Sequence, residues 1–216
     1  MHPSTSFSQF TSIVCGVDFS PHSASALRYA AALAREKRAR LTVVYAVDLL
    51  LSTAAAVAYD PRTIASTVRP ELRRFVRQTL RLQRVRRLRL VVAVGKPAQT
   101  LLHVAEHVGA DVVVVGTHGL TGLKKVFFGS TTEAILRRSD VPVLAVPRAH
   151  RPLHTWRKSM LVLTLPPAGS VGRFLEAASA YQLVHEARCP VLVQRLPKRR
   201  HVRRGRPRPS LLRSVA

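Results

Sequence analysis

Residues 111–147 read DVVVVGTHGLTGLKKVFFGSTTEAILRRSDVPVLAVP, and this stretch decides the fold. Two short apolar runs, 112–115 and 141–146, flank a loop with several glycines and a helical pattern. Both runs are β-branched and apolar on every side, which is typical of strands buried on both faces of a parallel sheet. The stretch therefore predicts a strand, loop, helix and strand of an α/β protein.

The loop carries three glycines at the spacing G-x-x-G-x9-G, at Gly116, Gly119 and Gly129. Glycine permits positive φ and lets a ligand approach the main chain closely. Ser130 or Thr131 is expected to cap the next helix, with Glu133 completing a capping box. Free N–H groups at the start of such a helix attract anions, phosphate above all. The alternative is a long connection that uses glycine only for its turns.

The pattern departs from two common phosphate-binding motifs. No Gly-Lys-Ser/Thr follows the glycines, as it would in a Walker A loop. The spacing is also not the tight G-x-G-x-x-G of dinucleotide-binding folds. Instead, GTHGLTGLKKVFFGSTTEAILRRSDVPVLAVP (116–147) resembles the C-terminal signature of the universal stress protein family, in its nucleotide-binding branch. SIVCGVDFSPHSASALRYAAALA (12–34) resembles that family's first strand and helix, and the similarity covers about residues 12–148.

The resemblance implies a three-layer α/β/α sandwich around a five-stranded parallel sheet of order 3-2-1-4-5. This is a Rossmann-like fold of the adenine-nucleotide-hydrolase type. The apolar runs predict its strands at 12–17, 41–47, 88–94, 112–115 and 141–146. Helices are predicted from Ser20 to the charged run 36–40, and over 71–84 and 98–108. Residues 48–70 lack periodicity and leave a short helix and a lid as alternatives.

Asp18 stands at the C-terminal end of the first strand, where open α/β sheets bind ligands. It is placed to accept hydrogen bonds from the base or ribose of a ligand, or alternatively to cap the turn before Ser20. The family resemblance places Asp18 and the backbone of Ala46 near an adenine. It places a larger group around the ribose and phosphates: Gly116, His118, Gly119, Gly129 and Ser130, with Thr131 and Thr132 as further donors.

The chain is strongly basic, with 35 Lys and Arg against 11 acidic residues and a formal net charge of +24. Such a surface attracts polyanions in a salt-dependent way. The helix over 71–84 has arginines on one side, and Arg86, Arg87 and Arg89 follow it. A solvated face is the ordinary explanation, and a surface for nucleic acid or an acidic partner is the alternative. No aromatic residues interleave with these arginines, so stacking on bases is not expected.

Several other classes of protein receive no support. No run of about 18 apolar residues predicts a membrane span, and the N-terminus lacks the pattern of a signal peptide. Cys15 and Cys189 are the only cysteines, which predicts neither a disulfide framework nor a metal site and favours a reducing cytoplasm. His103, Glu106 and His107 match an inverted zinc-protease motif, but we expect them on the wet face of their helix.

The sequence of the C-terminal third resembles a truncated second copy of the first domain. Residues 159–167 read like a first strand, 187–193 echo 139–145, and 174–186 are helical in pattern. The glycine loop is absent, so no second nucleotide site is predicted, and chance similarity around a V-P-V-L strand is the alternative. Two strands and a helix are too small to fold alone, so this piece is expected to dock on the first domain.

The predicted organisation is therefore a flexible N-terminus (1–11), a universal stress protein domain (12–148), a partial second copy (149–197) and a disordered basic tail (198–216). In the family, the strand over 141–146 lies at the sheet edge. An exposed apolar edge strand invites pairing with another copy. We thus expect a homodimer through this strand, unless the C-terminal region covers the edge.

Three functions are compatible with the sequence. The first is an ATP-binding regulatory module of the universal stress type, taking ATP alone or with Mg²⁺. The sequence offers no convincing general base, metal cluster or nucleophile for a dedicated enzyme, although slow ATP hydrolysis stays open. The second is a protein associated with nucleic acid or another polyanion. The third is an adenylate-forming or phosphoryl-transfer enzyme, because a fold does not fix function.

Overall fold

The computed structural model describes residues 10–48, 61–81, 83–117, 129–148, 160–165, 184, 187 and 189–195. The helices are α1 (Pro21–Lys37), α2 (Pro61–Leu80), α3 (Pro97–His107) and α4 (Ser130–Arg138). The strands are β1 (Ser12–Val17), β2 (Arg40–Val47), β3 (Leu88–Val94), β4 (Val112–Gly116), β5 (Val143–Val146), β6 (Leu161–Leu165) and β7 (Val191–Arg195).

All the described strands belong to one sheet of order β3-β2-β1-β4-β5-β7-β6. The first five are parallel to their neighbours, which confirms the predicted order 3-2-1-4-5. β7 then joins β5 in antiparallel orientation, and β6 lies parallel to β7. The sheet is therefore two strands wider than the predicted five.

Helices cover both faces of the sheet. On one face α1 and α2 enclose a core that includes Cys15, Leu27 and Leu72, and on the other α3 and α4 enclose one that includes Leu101 and Ile135. Successive strand residues point to opposite faces, so a strand covered on both sides must be apolar throughout. This explains the uninterrupted valine run of β4, and the layers confirm the α/β/α sandwich.

The predicted helix over 71–84 was wrong at both ends. α2 begins at Pro61 and passes through Pro70. A proline inside a helix removes one backbone hydrogen bond, but Ala65 and Val68 pack on the core in the preceding turns and hold the helix together. α2 ends at Leu80 because Arg81 takes a φ of 31° and the Leu80 carbonyl accepts the Gln83 N–H at 2.6 Å.

The C-terminal strands occupy the sheet edge on which the homodimer prediction depended. That prediction required the edge at 141–146 to be free of the C-terminal region, and β7 pairs with it. β5 itself starts at Val143, since Pro142 has no N–H to donate. The predicted helix over 174–186 lies outside the described residues except for Val184, which is helical and buried. The tail at 198–216 also lies outside them.

The described part of the N-terminus, residues 10 and 11, contacts the sheet. Phe10 packs against the core beneath α1. The backbone N–H and the hydroxyl of Thr11 donate to the Asp111 carboxylate at 2.6 and 2.9 Å. None of the described helices is long and apolar enough to cross a membrane.

Candidate functional site

The strand order reverses between β1 and β4, which lie side by side, and the edge where they end is the expected ligand crevice of this fold. The connection from β1 leads through α1 to β2, and the connection from β4 leads to α4 on the opposite face and on to β5. Open α/β sheets bind ligands at such a switch point, outside the carboxyl ends of the strands. The pairs Val17↔Tyr45 and Cys15↔Val114 place Asp18 level with Ala46 on one side and Thr117 on the other.

Asp18 holds the turn between β1 and α1. Its Oδ1 accepts the Ser20 N–H at 3.0 Å, and its own N–H donates to Ser23 Oγ at 3.3 Å. Ser20 caps α1 by accepting the Ser23 N–H at 3.1 Å. Asp18 therefore performs the turn-capping role that the sequence left as an alternative. Because a carboxylate has two oxygens, and no described residue bonds Oδ2, that oxygen can still accept a bond from a ligand.

An aromatic pair, Phe19 and Tyr45, lies beside Asp18 and was not predicted from the sequence. Phe19 has a φ of 64°, which is unusual for a bulky side chain, and its ring stacks on Tyr45 with centroids 4.4 Å apart. Phe75 packs edge-on against Phe19 at 5.3 Å. Burial raises the pKa of Tyr45, and the carboxylates of Glu71 and Asp18 raise it further. No local signal predicts positive φ at a phenylalanine, so only the folded chain shows this arrangement.

Gly116 ends β4 at a point of close contact with α1. A Cβ there would lie 3.0 Å from the His22 carbonyl carbon and 3.1 Å from its oxygen. The Gly116 carbonyl also accepts the Thr132 hydroxyl at 2.7 Å. Packing of the first turn of α1 against the strand end is thus sufficient to require glycine. The Thr132 side chain is buried and occupied by this bond.

The start of α4 differs from the prediction. The N-cap is Gly129, with φ −55° and ψ 136°, and no side chain caps the helix. Ser130 is already helical, so the predicted capping box was wrong, and Glu133 forms an ion pair with Arg137 one turn later. The backbone N–H groups of Ser130, Thr131 and Thr132 consequently have no cap side chain to bind, and Ser130 is exposed.

Thr117 connects the start of α4 to the ends of β4 and β5. Its carbonyl accepts the Gly129 N–H at 3.3 Å, and its N–H donates to the Val146 carbonyl at 3.1 Å. These bonds attach the start of α4 to the ends of β4 and β5, on the edge where Asp18 lies. Thr117 was not among the predicted site residues, although it lies between Gly116 and His118 of the signature. His118 and Gly119 themselves lie outside the described residues.

Other candidates for chemistry are absent from the described part of the chain. His103, Glu106 and His107 are exposed on the outer face of α3, as expected. No group of three His, Cys, Asp or Glu among the described residues could hold a metal ion. A groove lined by Phe10, Leu33 and Met160 lies at the opposite, amino end of the sheet.

The strand order defines a doubly wound α/β protein, and a helix without a side-chain cap, α4, starts at its switch point. The sequence model of the universal stress protein family matches residues 9–147, and the chain belongs to this family. Among curated relatives, universal stress protein YxiE of Bacillus subtilis is 27% identical over 146 residues, covering 63% of this chain and 99% of the relative. Universal stress protein MJ0577 of Methanocaldococcus jannaschii is 40% identical over 58 residues, which span 27% of this chain and 36% of that protein.

Solved structures show the same fold. The structure of MJ0577 matches with a TM-score of 0.55 at 24% identity, over 66% of this chain and 99% of that one. A universal stress protein from Archaeoglobus fulgidus matches with a TM-score of 0.61 at 13% identity, over 85% of this chain and 98% of that one. The second likeness covers more of this chain than the family domain at 9–147 and so includes part of the C-terminal region.

Proposed function

We propose that this chain binds ATP in the crevice between β1 and β4 and acts as a regulatory module of the universal stress type. The observation that carries the proposal is the start of α4. There a glycine N-cap without a side chain leaves the first N–H groups of the helix unoccupied by a cap, on the edge of the sheet that bears Asp18. Such N–H groups and the helix dipole favour a phosphate.

The other proposed contacts to ATP come from residues at the same carboxyl edge of the sheet. The N–H groups of Ser130, Thr131 and Thr132 would hold the phosphates, and the absence of a side chain at Gly129 leaves room for them. Asp18 Oδ2 would accept a bond from the ribose or base, and the backbone of Ala46 would lie against the adenine. The resemblance to the universal stress protein family assigns Gly116, His118 and Gly119 to the ribose and phosphates. The Thr132 hydroxyl takes no part, because it bonds Gly116.

Binding, rather than turnover, is the function that these groups support. Catalysis by a nucleophile needs that group within hydrogen-bond reach of a base. The crevice offers main-chain donors and one carboxylate that already holds a turn. We assign no protein ligand to Mg²⁺. Occupancy of the crevice by ATP would alter how the protein binds its partners. Both cysteines are free thiols, which fits our proposal that the protein works in a reducing cytoplasm.

The test is calorimetric titration of ATP, ADP and AMP into the purified protein and into two variants of Ser130. Ser130→Pro removes one N–H at the first helical position, where proline is well tolerated. Its predecessor Gly129 has the extended backbone that a following proline requires. Ser130→Ala removes only the hydroxyl and is the matched control. Since a hydrogen bond to a charged group contributes about 1.5 to 3 kcal/mol, Ser130→Pro should weaken ATP binding by about tenfold or more.

Ser130→Ala should bind ATP nearly as well as the wild type. If none of the three nucleotides binds at millimolar concentration, the proposal fails. If both Ser130 variants bind ATP as tightly as the wild type, the phosphate does not lie at the start of α4.

A further inference from the structure

The segment from α2 to β3 carries a concentrated positive surface that the nucleotide site does not use. Residues 61–94 contain ten arginines and a single acid, Glu71. Nine of these arginines have described side chains, and all nine are exposed. We call them the arginine surface: Arg69, Arg73, Arg74, Arg77, Arg81, Arg84, Arg86, Arg87 and Arg89.

The helix aligns four of these side chains. Arg69, Arg73, Arg77 and Arg81 follow one another at intervals of four residues, so they lie on one face of α2 and its last turn. At a rise of 1.5 Å per residue, neighbours are about 6 Å apart along the axis and the row is about 18 Å long. Like charges at this spacing repel and destabilise a helix. The row therefore does not serve the stability of α2.

An adjacent face of α2, about 100° around the helix axis from this row, supplies that stability. Leu72, Val76 and Leu80 are buried against the sheet. The two ion pairs recorded among the described residues, Lys37–Glu36 and Arg137–Glu133, involve no member of the arginine surface. The guanidinium groups thus face solvent, with one acidic residue in the same segment.

The edge of the sheet continues the surface beyond the helix. β3 is the outermost strand, and the Arg87 carbonyl accepts the Leu41 N–H at 2.8 Å. This bond places Arg87 beside the start of β2, where Arg38 and Arg40 are also exposed. These residues lie at the amino ends of the strands, whereas the nucleotide crevice lies at the carboxyl ends. This end of the arginine surface is therefore away from the crevice, whereas the middle of α2 lies beside it, since Phe75 contacts Phe19.

We propose that the arginine surface binds the phosphate backbone of duplex nucleic acid without reading its sequence. Arginine presents a planar fork of donors that matches phosphate oxygens. The surface has no exposed aromatic residue for stacking on single-stranded bases, since Phe75 packs against Phe19. A membrane-binding helix inserts its apolar face, but the apolar face of α2 lies in the core. A regular row of phosphate ligands without an insertable side chain fits a duplex backbone best.

The experiment measures fluorescence anisotropy of a short, labelled, mixed-sequence DNA duplex between about 50 and 200 mM salt. The test variant combines Arg73→Gln, Arg77→Gln and Arg81→Gln. The matched control combines Lys96→Gln, Arg138→Gln and Arg148→Gln, which removes the same charge from exposed positions elsewhere. The basic residues of 198–216 are present in both proteins, so any contribution from them cancels. Thermal melting and ATP titration check that both variants are folded.

The wild type should bind the duplex, and the logarithm of its affinity should fall linearly with the logarithm of salt concentration. The test variant should bind at least tenfold more weakly, and its salt slope should fall by about one for each phosphate contact removed. The control should stay close to the wild type. The proposal is overturned if the two variants lose affinity equally, if the wild type does not bind the duplex, or if vesicles containing phosphatidylserine bind the arginine surface and the duplex does not.

Discussion

Leu144 of β5 and Leu192 of β7 lie directly opposite each other in the antiparallel pair that joins the C-terminal strands to the rest of the sheet. Each is preceded by Pro-Val, in VPVLA at 141–145 and CPVLV at 189–193. Val143 pairs with Val193 and Ala145 with Val191, so the pairing is symmetric about the two leucines. β7 therefore meets β5 as a second copy of β5 would meet it across a two-fold axis.

This arrangement predicts that the wild-type protein does not associate through β5. An uncovered apolar edge strand is a template for pairing, and a strand of the same chain competes for it at high effective concentration. Leu192→Asp puts a charge into the core at a fully buried position and should release β7. Light scattering coupled to size exclusion should then show a monomeric wild type and a variant that dimerises.

Val162→Asp is the control for this prediction, because it adds the same charge to the neighbouring strand at a position that is 38% exposed. It should remain monomeric. A wild-type dimer that persists in Leu192→Asp would show that β7 does not control association.

Gly116→Ala should destabilise the fold by about 1 to 3 kcal/mol, as overpacking does. Its new Cβ would lie 3.0 Å from the backbone of His22, which cannot move without shifting α1 from β4. Gly16→Ala is the comparison, because its Cβ would meet side chains and no backbone, the nearest being the end of Leu101 at 2.8 Å. Urea denaturation of both variants measures the difference. Equal losses would mean that α1 adjusts to a side chain at position 116.

Asp111 should contribute stability that disappears at acidic pH. Burial raises its pKa, but the two N–H groups of Thr11 and Ser12 and the Thr11 hydroxyl together lower it below the usual value. A carboxyl with a lowered folded-state pKa stabilises the fold above its unfolded pKa, and this contribution is lost as pH falls through the folded value. Asp111→Asn should therefore be less stable than the wild type at neutral pH, by about 1 to 2 kcal/mol.

Thermal melting of both proteins from neutral pH to below about pH 4 checks the sign. The difference between them should shrink as the pH falls below the ordinary pKa of an aspartate. If the stability difference between the two proteins is constant over this pH range, the substitution acts through altered packing and not through the lost carboxylate charge.

The two cysteines should react differently. Burial raises the pKa of Cys15 far above that of a free thiol, so it stays protonated and shielded, whereas Cys189 is only partly buried. A chromogenic disulfide reagent should modify Cys189 in the native protein and Cys15 only after unfolding. Cys189→Ser should therefore abolish the native reaction. Rapid native labelling of that variant would show that the core around Cys15 opens readily.

The sequence predicted the sheet well, because a strand that is buried on both faces is apolar throughout and so is recognisable as a short apolar run. β1 and β3 have the predicted bounds: β1 is a buried run between Thr11 and Asp18, and β3 alternates around Arg89 before its apolar end. α2 was harder, because Pro70 looks like a helix break when its neighbours cannot be seen packing. The helix start at α4 was misplaced by one residue, because Gly129 and Ser130 are both acceptable caps and the backbone angles of Gly129 decide between them.

In the candidate site, too, some features are visible in the sequence and others appear only in the folded structure. The glycine spacing and the strand-end aspartate of the signature are local features, and they predicted a site at the carboxyl edge of the sheet, where Asp18 and the start of α4 both lie. The bond from Thr132 to Gly116 joins residues 16 apart in sequence, and the stack of Phe19 on Tyr45 joins neighbouring strands. No sequence pattern encodes such contacts, because each side chain finds its partner only when the strands are in register.

By itself, the sequence determined the layered α/β fold, the parallel order of its first five strands and the family to which the chain belongs. These follow from hydrophobic runs and a glycine signature that operate over a few neighbouring residues. Only the tertiary structure decided that β7 closes the edge of β5, that Asp18 is already engaged in its turn and that Arg87 lies beside Arg38 and Arg40. Those outcomes depend on which distant segments meet, and packing and strand pairing across the whole sheet decide that.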